Sequence, residues 1–232
     1  MKAKRWEAQN HVAEIVCARE IRACIIQPVD ETELSEIGQQ AFKWIEEEKL
    51  PILYVAIGVS DWNRELSPWK APAVLGNRDF GGEAEEFLSV IRQFFLPKIM
   101  SELAQNGDDK VPIILGGYSL AGLFALWAAY REEVFDAVMA ASPSVWYPEW
   151  DAYSATHSLL ARKVYLSLGD REERTKNPVL SRVGEGIRQQ YEEAKEQIGE
   201  ENCVLQWNAG NHFTEIWKRC TKGFSWCMEG IR

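Results

Sequence analysis

From Val111 to Tyr130 the chain reads VPIILGGYSLAGLFALWAAY. Its first five residues, Val111 to Leu115, are an unbroken apolar run of the kind seen in strands covered on both faces. Leu120 to Tyr130 is apolar throughout and too long for a strand, so it reads as a buried helix. The same alternation continues outward in both directions. Upstream, Ile52 to Ile57 (ILYVAI) repeats the buried-strand pattern. Before it, Leu34, Ile37, Ala41, Phe42 and Ile45 recur at spacings of three and four within Glu33 to Glu48, which is one face of a helix. Val12 to Cys17 and Ile21 to Gln27 are β-leaning runs, the second closed by Pro28, and read as a hairpin or two early strands. Gly58 to Gly82 mixes proline, glycine and tryptophan without a sustained period and is expected to be a long loop. Glu83 to Leu103 returns to helical spacing, with Pro97 as the point where the helix kinks or breaks. Downstream, Ala137 to Ala141, Val164 to Leu168 and Val204 to Trp207 are strand candidates separated by helical stretches at Ala152 to Leu160 and Val179 to Ile198. Strand alternating with helix implies a mostly parallel sheet with helices on both faces, because parallel strands need crossover connections. No repeat or linker interrupts the order, so residues 1–232 are expected to form a single α/β domain.

Composition narrows the function. Hydrophobic residues make up 46% and charged residues 26%, the balance of a folded globular chain. Lys and Arg total 26 against 35 Asp and Glu, a formal charge of -9, so the surface field repels nucleic-acid phosphates and anionic lipid. No stretch approaches the roughly 20 apolar residues of a membrane span. Lys2, Lys4 and Arg5 are followed by polar residues where a secretory signal would turn apolar. The five cysteines, at 17, 24, 203, 220 and 227, form no CxxC pair and are odd in number, which suits reduced thiols in a cytoplasmic protein. Cys220 and Cys227, seven apart on a helical stretch, are expected in the core.

The turn between the Val111 strand and the Leu120 helix contains Gly117-Tyr118-Ser119-Leu120-Ala121, a near form of the Gly-x-Ser-x-Gly nucleophile elbow. Small flanking residues let the chain reverse sharply, which lifts the Ser119 hydroxyl above the sheet and sets the Leu120 amide at a helix start, ready to meet developing negative charge. A helix N-cap is the bland alternative for the same serine. A serine hydroxyl needs a base, and three histidines are present. His11 and His157 lie in polar surroundings and read as solvated surface residues. His212, in the turn Asn208-Ala209-Gly210-Asn211-His212-Phe213 after the last strand candidate, is the candidate base. The carboxylate that would orient it should follow the preceding strand, where Gly169-Asp170-Arg171-Glu172-Glu173-Arg174 supplies three. Glu172 is the choice, being three residues past the glycine that ends the strand; Asp170 and Glu173 stay open. A second oxyanion donor is expected from the backbone of Val59 or Ser60, after the Ile52 strand. Trp62, Arg64 and Trp69 in the long loop, and Trp146 after the Ala137 strand, are expected to wall the substrate pocket; the loop tryptophans could equally fill a small core of their own.

Taken together, these segments resemble the esterase D-like branch of the α/β-hydrolases, which includes enterochelin and other siderophore esterases, feruloyl esterases and S-formylglutathione hydrolase. The resemblance rests on Gly-Tyr-Ser-Leu-Ala-Gly at 117 to 122, Ser142-Pro143-Ser144-Val145-Trp146, Asn63-Arg64-Glu65-Leu66 and Asn211-His212-Phe213, and spans roughly Ile52 to the C-terminus. It implies an α/β-hydrolase fold and hydrolysis of a small-molecule carboxylic ester or lactone through an acyl-serine intermediate, with no cofactor and no metal. Ser119, Glu172 and His212 take the triad roles by that resemblance, with a Ser119–His212 dyad as the alternative in the branch. The region before Ile52 is short for these relatives and leaves room for a trimmed early sheet. Acyl transfer on the same triad, or a catalytically silent binding protein of this fold, are the competing readings. A homo-oligomer is compatible with all of them.

Overall fold

The computed structural model describes residues 1–74, 76–106 and 110–231. The continuous apolar runs become the middle of one sheet, because a strand with helices on both faces has no side to expose. Three strands come first: β1 (Lys2–Ala8), β2 (His11–Cys17) and β3 (Ala23–Asp30). Helix α1 (Leu34–Glu48) leads to β4 (Ile52–Val59), whose eight residues are all buried. The long loop then holds the single-turn helix α2 (Trp62–Glu65) and the two-residue strands β5 (Lys70–Ala71) and β6 (Phe80–Gly81). Helix α3 (Ala84–Val90) runs through a π-turn at Ile91–Phe95 into α4 (Leu96–Gln105). Pro97 follows closely on that π-turn, so the irregularity in the helix falls where the proline removes an N–H, and the helix continues through it. The remaining units are β7 (Ile113–Tyr118), α5 (Leu120–Ala129), β8 (Ala137–Ala141), α6 (Trp150–Thr156), β9 (Lys163–Gly169), α7 (Val183–Ile198), β10 (Cys203–Asn208) and α8 (Ile216–Met228).

Among the described residues the main sheet has the order β1-β2-β4-β3-β7-β8-β9-β10. β1–β2 and β2–β4 pair antiparallel, and every other neighbour pair is parallel. Side chains on successive residues alternate between two cores. Leu53, Val55 and Ile57 of β4 join α3, α4, α5 and α7 on one face, while Ile52, Tyr54 and Ala56 join α1 and α8 on the other. Every residue of α5 is buried, as its uniform apolarity requires.

Of the two readings of the N-terminal runs, two separate early strands is the one found: β2 and β3 are separated by β4, and the hairpin joins β1 to β2. The early sheet is not trimmed: Lys2–Ala8 forms an edge strand, with Lys2, Arg5 and Glu7 exposed in the manner that discourages further pairing and Lys4 paired with Glu102 at 2.6 Å.

Candidate active site

β7, β8, β9 and β10 run parallel, so their C-terminal ends open on the same edge of the sheet. Ser119 follows β7, Ser142 follows β8, Glu172 follows β9 and His212 follows β10. Ser119 holds φ 59° and ψ -121°, a backbone conformation that non-glycine residues rarely adopt. Two backbone bonds pin it there: the Ser119 amide donates to Ala141 O at 3.0 Å and the Ser144 amide to Ser119 O at 3.1 Å. The segment 142–146 is thus folded over the elbow. Small flanks are a steric necessity, since a Cβ on Gly117 would lie 2.5 Å from the Ala121 carbonyl. Ala121 itself is tolerated because its methyl group is accommodated in the core.

Ser119 Oγ lies 3.1 Å from His212 Nε2, and His212 Nδ1 lies 2.7 Å from Glu172 Oε2. With the proton on Nδ1 donated to the carboxylate, Nε2 is left as an acceptor for the serine hydroxyl. The other oxygen of Glu172 accepts from the Gly169 amide at 2.7 Å and from Ser142 Oγ at 2.5 Å. Its side chain is 4% exposed. Burial pushes this carboxyl upward, but the bonds from His212, Ser142 and Gly169 outweigh burial and hold it below its ordinary value.

The neighbouring carboxylates have other partners. Asp170 Oδ1 accepts from the Gly210 amide at 2.9 Å, and the Arg171 amide donates to Gly210 O at 3.1 Å, so the loops bearing Glu172 and His212 are stitched together. Glu173 pairs with Arg188 at 3.0 Å. Of the three open candidates, Glu172 alone meets the imidazole among the described residues.

Arg219 on α8 escaped the sequence reading. It is 3% exposed, donates from Nη2 to Glu172 Oε1 at 3.2 Å and to Ser142 Oγ, and from Nη1 to Tyr118 Oη at 2.7 Å. Tyr118 Oη in turn donates to His212 O at 2.5 Å. Burial pushes the Tyr118 phenol up to about 12, so it stays a donor. The signal was present: Arg219 stands on the same face as Cys220, Gly223, Phe224 and Cys227, a charge on the apolar stripe of its helix.

The oxyanion expectation is half displaced. The Leu120 amide opens α5 beside Ser119, one of the N–H groups that a helix leaves without an internal partner. Val59 and Ser60, however, end β4, and β3 lies between β4 and β7. Two strand spacings put them roughly 10 Å across the sheet from the elbow. Ser60 instead donates to Glu65 at 2.8 Å in a separate cavity with His11. The strand beside the elbow's own strand is β3, which pairs with β7 from Cys24–Ile113 to Ile26–Leu115, so the segment after β3 is the one nearest the elbow. Its amides are engaged locally, Glu31 N to Val59 O, Thr32 N to Asp30 Oδ1 and Glu33 N to Asp30 O.

A cavity of about 330 Å³ opens on Ser119, His212 and Glu172. Of the four residues expected to wall the pocket, Trp146 lines this cavity and Trp62, Arg64 and Trp69 do not. Trp69 donates Nε1 to Pro148 O and packs on Tyr147 and Tyr153, Trp62 packs against the main core, and Arg64 pairs with Glu83 at 2.6 Å. The other walls are Arg171, Arg174 and Leu180 from the segment after β9, Val183 at the start of α7, and Phe213 next to His212. His11 is likewise not a surface residue. It is 9% exposed, with Nδ1 3.1 Å from Gly58 O and Nε2 3.3 Å from Glu65 Oε2. His157 is exposed and stacks on Tyr153. Among the described residues no cluster of His, Cys, Asp and Glu is arranged to hold a metal ion, and no helix is long and apolar enough to cross a membrane.

An elbow serine at the end of β7 with its imidazole and carboxylate arriving after β10 and β9 defines the α/β-hydrolase class. Solved structures agree on the fold. A siderophore hydrolase, EstA from Aspergillus nidulans, matches at 16% identity and TM-score 0.69 over 98% of this chain and 93% of its own. An IroE-like serine hydrolase from Shewanella oneidensis matches at 16% and 0.71 over 96% and 78%. The enterobactin esterase FES from Shigella flexneri matches at 17% and 0.65 over 96% and 57%. No curated protein matches the sequence. The family model described as "Putative esterase" matches residues 35–220, and the chain belongs to that esterase family. It is a hydrolase of the esterase branch of the α/β-hydrolase superfamily.

Proposed function

We propose that the protein cleaves a carboxylic ester of a small molecule through an acyl-serine intermediate, with Ser119 as nucleophile, His212 as base and Glu172 as the orienting acid. The observation that carries this is the relay from Ser119 Oγ to His212 Nε2 at 3.1 Å and from His212 Nδ1 to Glu172 at 2.7 Å, at the wall of a cavity. In the first step Oγ attacks the ester carbonyl carbon while Nε2 takes the hydroxyl proton, and the Leu120 amide meets the charge forming on the carbonyl oxygen. Collapse expels the alcohol, which leaves with the proton held on Nε2. Water then enters, gives its proton to Nε2 and attacks the acyl carbon; the acid departs and the proton returns to Ser119. Glu172 keeps its negative charge throughout, fixing the ring and balancing the imidazolium.

A cavity of about 330 Å³, walled by Trp146, Leu180, Val183 and Phe213, suits a short or single-ring apolar acyl group. Siderophore esters belong in the substrate panel because two of the matched structures are named as siderophore and enterobactin hydrolases. All five cysteines are buried and unpaired, which suits a reducing, cytoplasmic setting. The test is labelling by a fluorophosphonate probe. Wild-type protein should label and hydrolyse p-nitrophenyl acetate, Ser119→Ala should lose both, and His212→Ala should lose most of each. Folded wild-type protein that neither labels nor hydrolyses any ester of graded acyl size would overturn the reading.

A further inference from the structure

We propose that Arg219 is a positioning residue of this site: its guanidinium fixes the oxygen of Glu172 turned away from His212, ties down the His212 main chain through Tyr118, and by its charge sets the acidic limit of activity. The inference rests on the triad reading above. A buried guanidinium is an expensive way to fill a core, and apolar packing commonly stabilises as well or better. Here the cation lies 3% exposed, and its Nε has no partner among the described residues. The fork is spent on the catalytic side instead. Nη2 reaches Glu172 Oε1 and Ser142 Oγ, and Ser142 Oγ donates a hydrogen bond of its own to the same Oε1. Nη1 reaches Tyr118 Oη, which donates to His212 O. One side chain on α8 therefore connects the ends of β7, β8, β9 and β10, the four places from which the site is assembled.

The charge has a separate consequence. Proton transfer from Ser119 creates an imidazolium whose partner is the Glu172 carboxylate. With Arg219 on the far side of that carboxylate, part of its field is already compensated, and removing the guanidinium strengthens the pull of the carboxylate on the imidazolium. The other titratable groups facing Arg219 do not change charge near neutrality. Burial pushes Tyr118 and Tyr165 up to about 12, and Cys220 on α8 up to about 12. On the cavity side, His212 is faced by Arg171 and Arg174, which are always cationic.

The experiment compares kcat/KM against pH for p-nitrophenyl acetate in wild type, Arg219→Met and Arg219→Lys, with the fold of each checked by circular dichroism and thermal melting. Arg219→Met should lose about 10-fold or more in kcat with little change in KM, the scale of a small misplacement of the reacting groups. Its acidic limb should move upward by about half to one pH unit, because removing a cation lets the imidazole keep its proton longer. Arg219→Lys retains the charge and loses the fork, so its limb should stay at the wild-type position while kcat remains reduced. A folded Arg219→Met variant with an unmoved limb overturns the proposal even if kcat falls, since lost packing alone does that. If Arg219→Met does not fold, Arg219→Lys decides, and full wild-type turnover there overturns it. Were the wild type itself inactive, the triad reading would have failed separately. The imidazole of His212, assigned by His212→Asn and followed by NMR across pH, would still read the charge effect: an upward move in Arg219→Met supports it, and no move overturns it.

Discussion

Glu172 differs from Asp170 and Glu173 in what its oxygens meet: one holds the imidazole, and the other is saturated by an amide, a hydroxyl and a guanidinium. An amide in its place offers a donor where only acceptors belong. Glu172→Gln should therefore lower kcat by at least about 100-fold, by forcing the wrong histidine tautomer. Asp170→Asn keeps the oxygen that accepts from Gly210, and Glu173→Gln disturbs a surface pair with Arg188, so each should stay within about fivefold. Equal losses from all three in steady-state assays would refute the assignment. The same residue sets an acid limit on stability. Its folded value lies below the ordinary 4.5, so the unfolded chain binds this proton more readily. The resulting stabilisation is fully present above the unfolded value and is lost as the pH falls through the folded one. A plot of melting temperature against pH should fall less steeply below about pH 5 in Glu172→Gln than in wild type.

Between β7 and α5 the elbow works by exclusion of volume. A methyl group at position 117 has no space beside the Ala121 carbonyl, so Gly117→Ala must push α5 away from β7 and carry Ser119 off the imidazole. We expect a loss of about 1–3 kcal/mol in urea unfolding, with fluorophosphonate labelling reduced further than stability alone explains. A variant that labels at the wild-type rate would contradict this packing account. This element was also the most legible in the sequence, because the strand, the small flanks, the serine and the apolar helix are consecutive residues and their geometry is local. His212 and Glu172 were legible from chain order, each being in the loop after a readable strand. The second oxyanion donor was misplaced for the opposite reason. Which strand lies beside β7 is a question of sheet order, and the pairing of β3 rather than β4 with β7 leaves no mark in either run. The loop tryptophans failed similarly: Trp69 is an anchor for the 147–153 segment, a contact between residues some 80 positions apart in the chain. Arg219 could have been found, since a charged residue on the buried face of α8 conflicts with its neighbours unless something holds it.

Across the whole molecule the charge is -9, yet the groups lining the cavity at Ser119 carry the opposite sign. Glu172 is the one carboxylate among the described lining residues, and its charge is consumed by His212 and Arg219. Arg171 and Arg174 remain at the wall; Arg171 has Asp170 at 3.9 Å. At 0.15 M salt the screening length is about 8 Å, so a bound ester feels these two guanidinium groups while the acidic surface beyond them is largely screened. An ester with a carboxylate on its acyl chain should then gain where a neutral one of equal length does not. The comparison is mono-p-nitrophenyl glutarate against p-nitrophenyl pentanoate, in wild type and Arg174→Gln. The variant should lose about two- to fivefold in kcat/KM for the glutarate ester, the scale of a solvent-exposed ion pair, and less than about twofold for the pentanoate. Equal losses on both esters would mean that Arg174 shapes the wall and contributes no charge to binding, and the cavity would then select by acyl size alone.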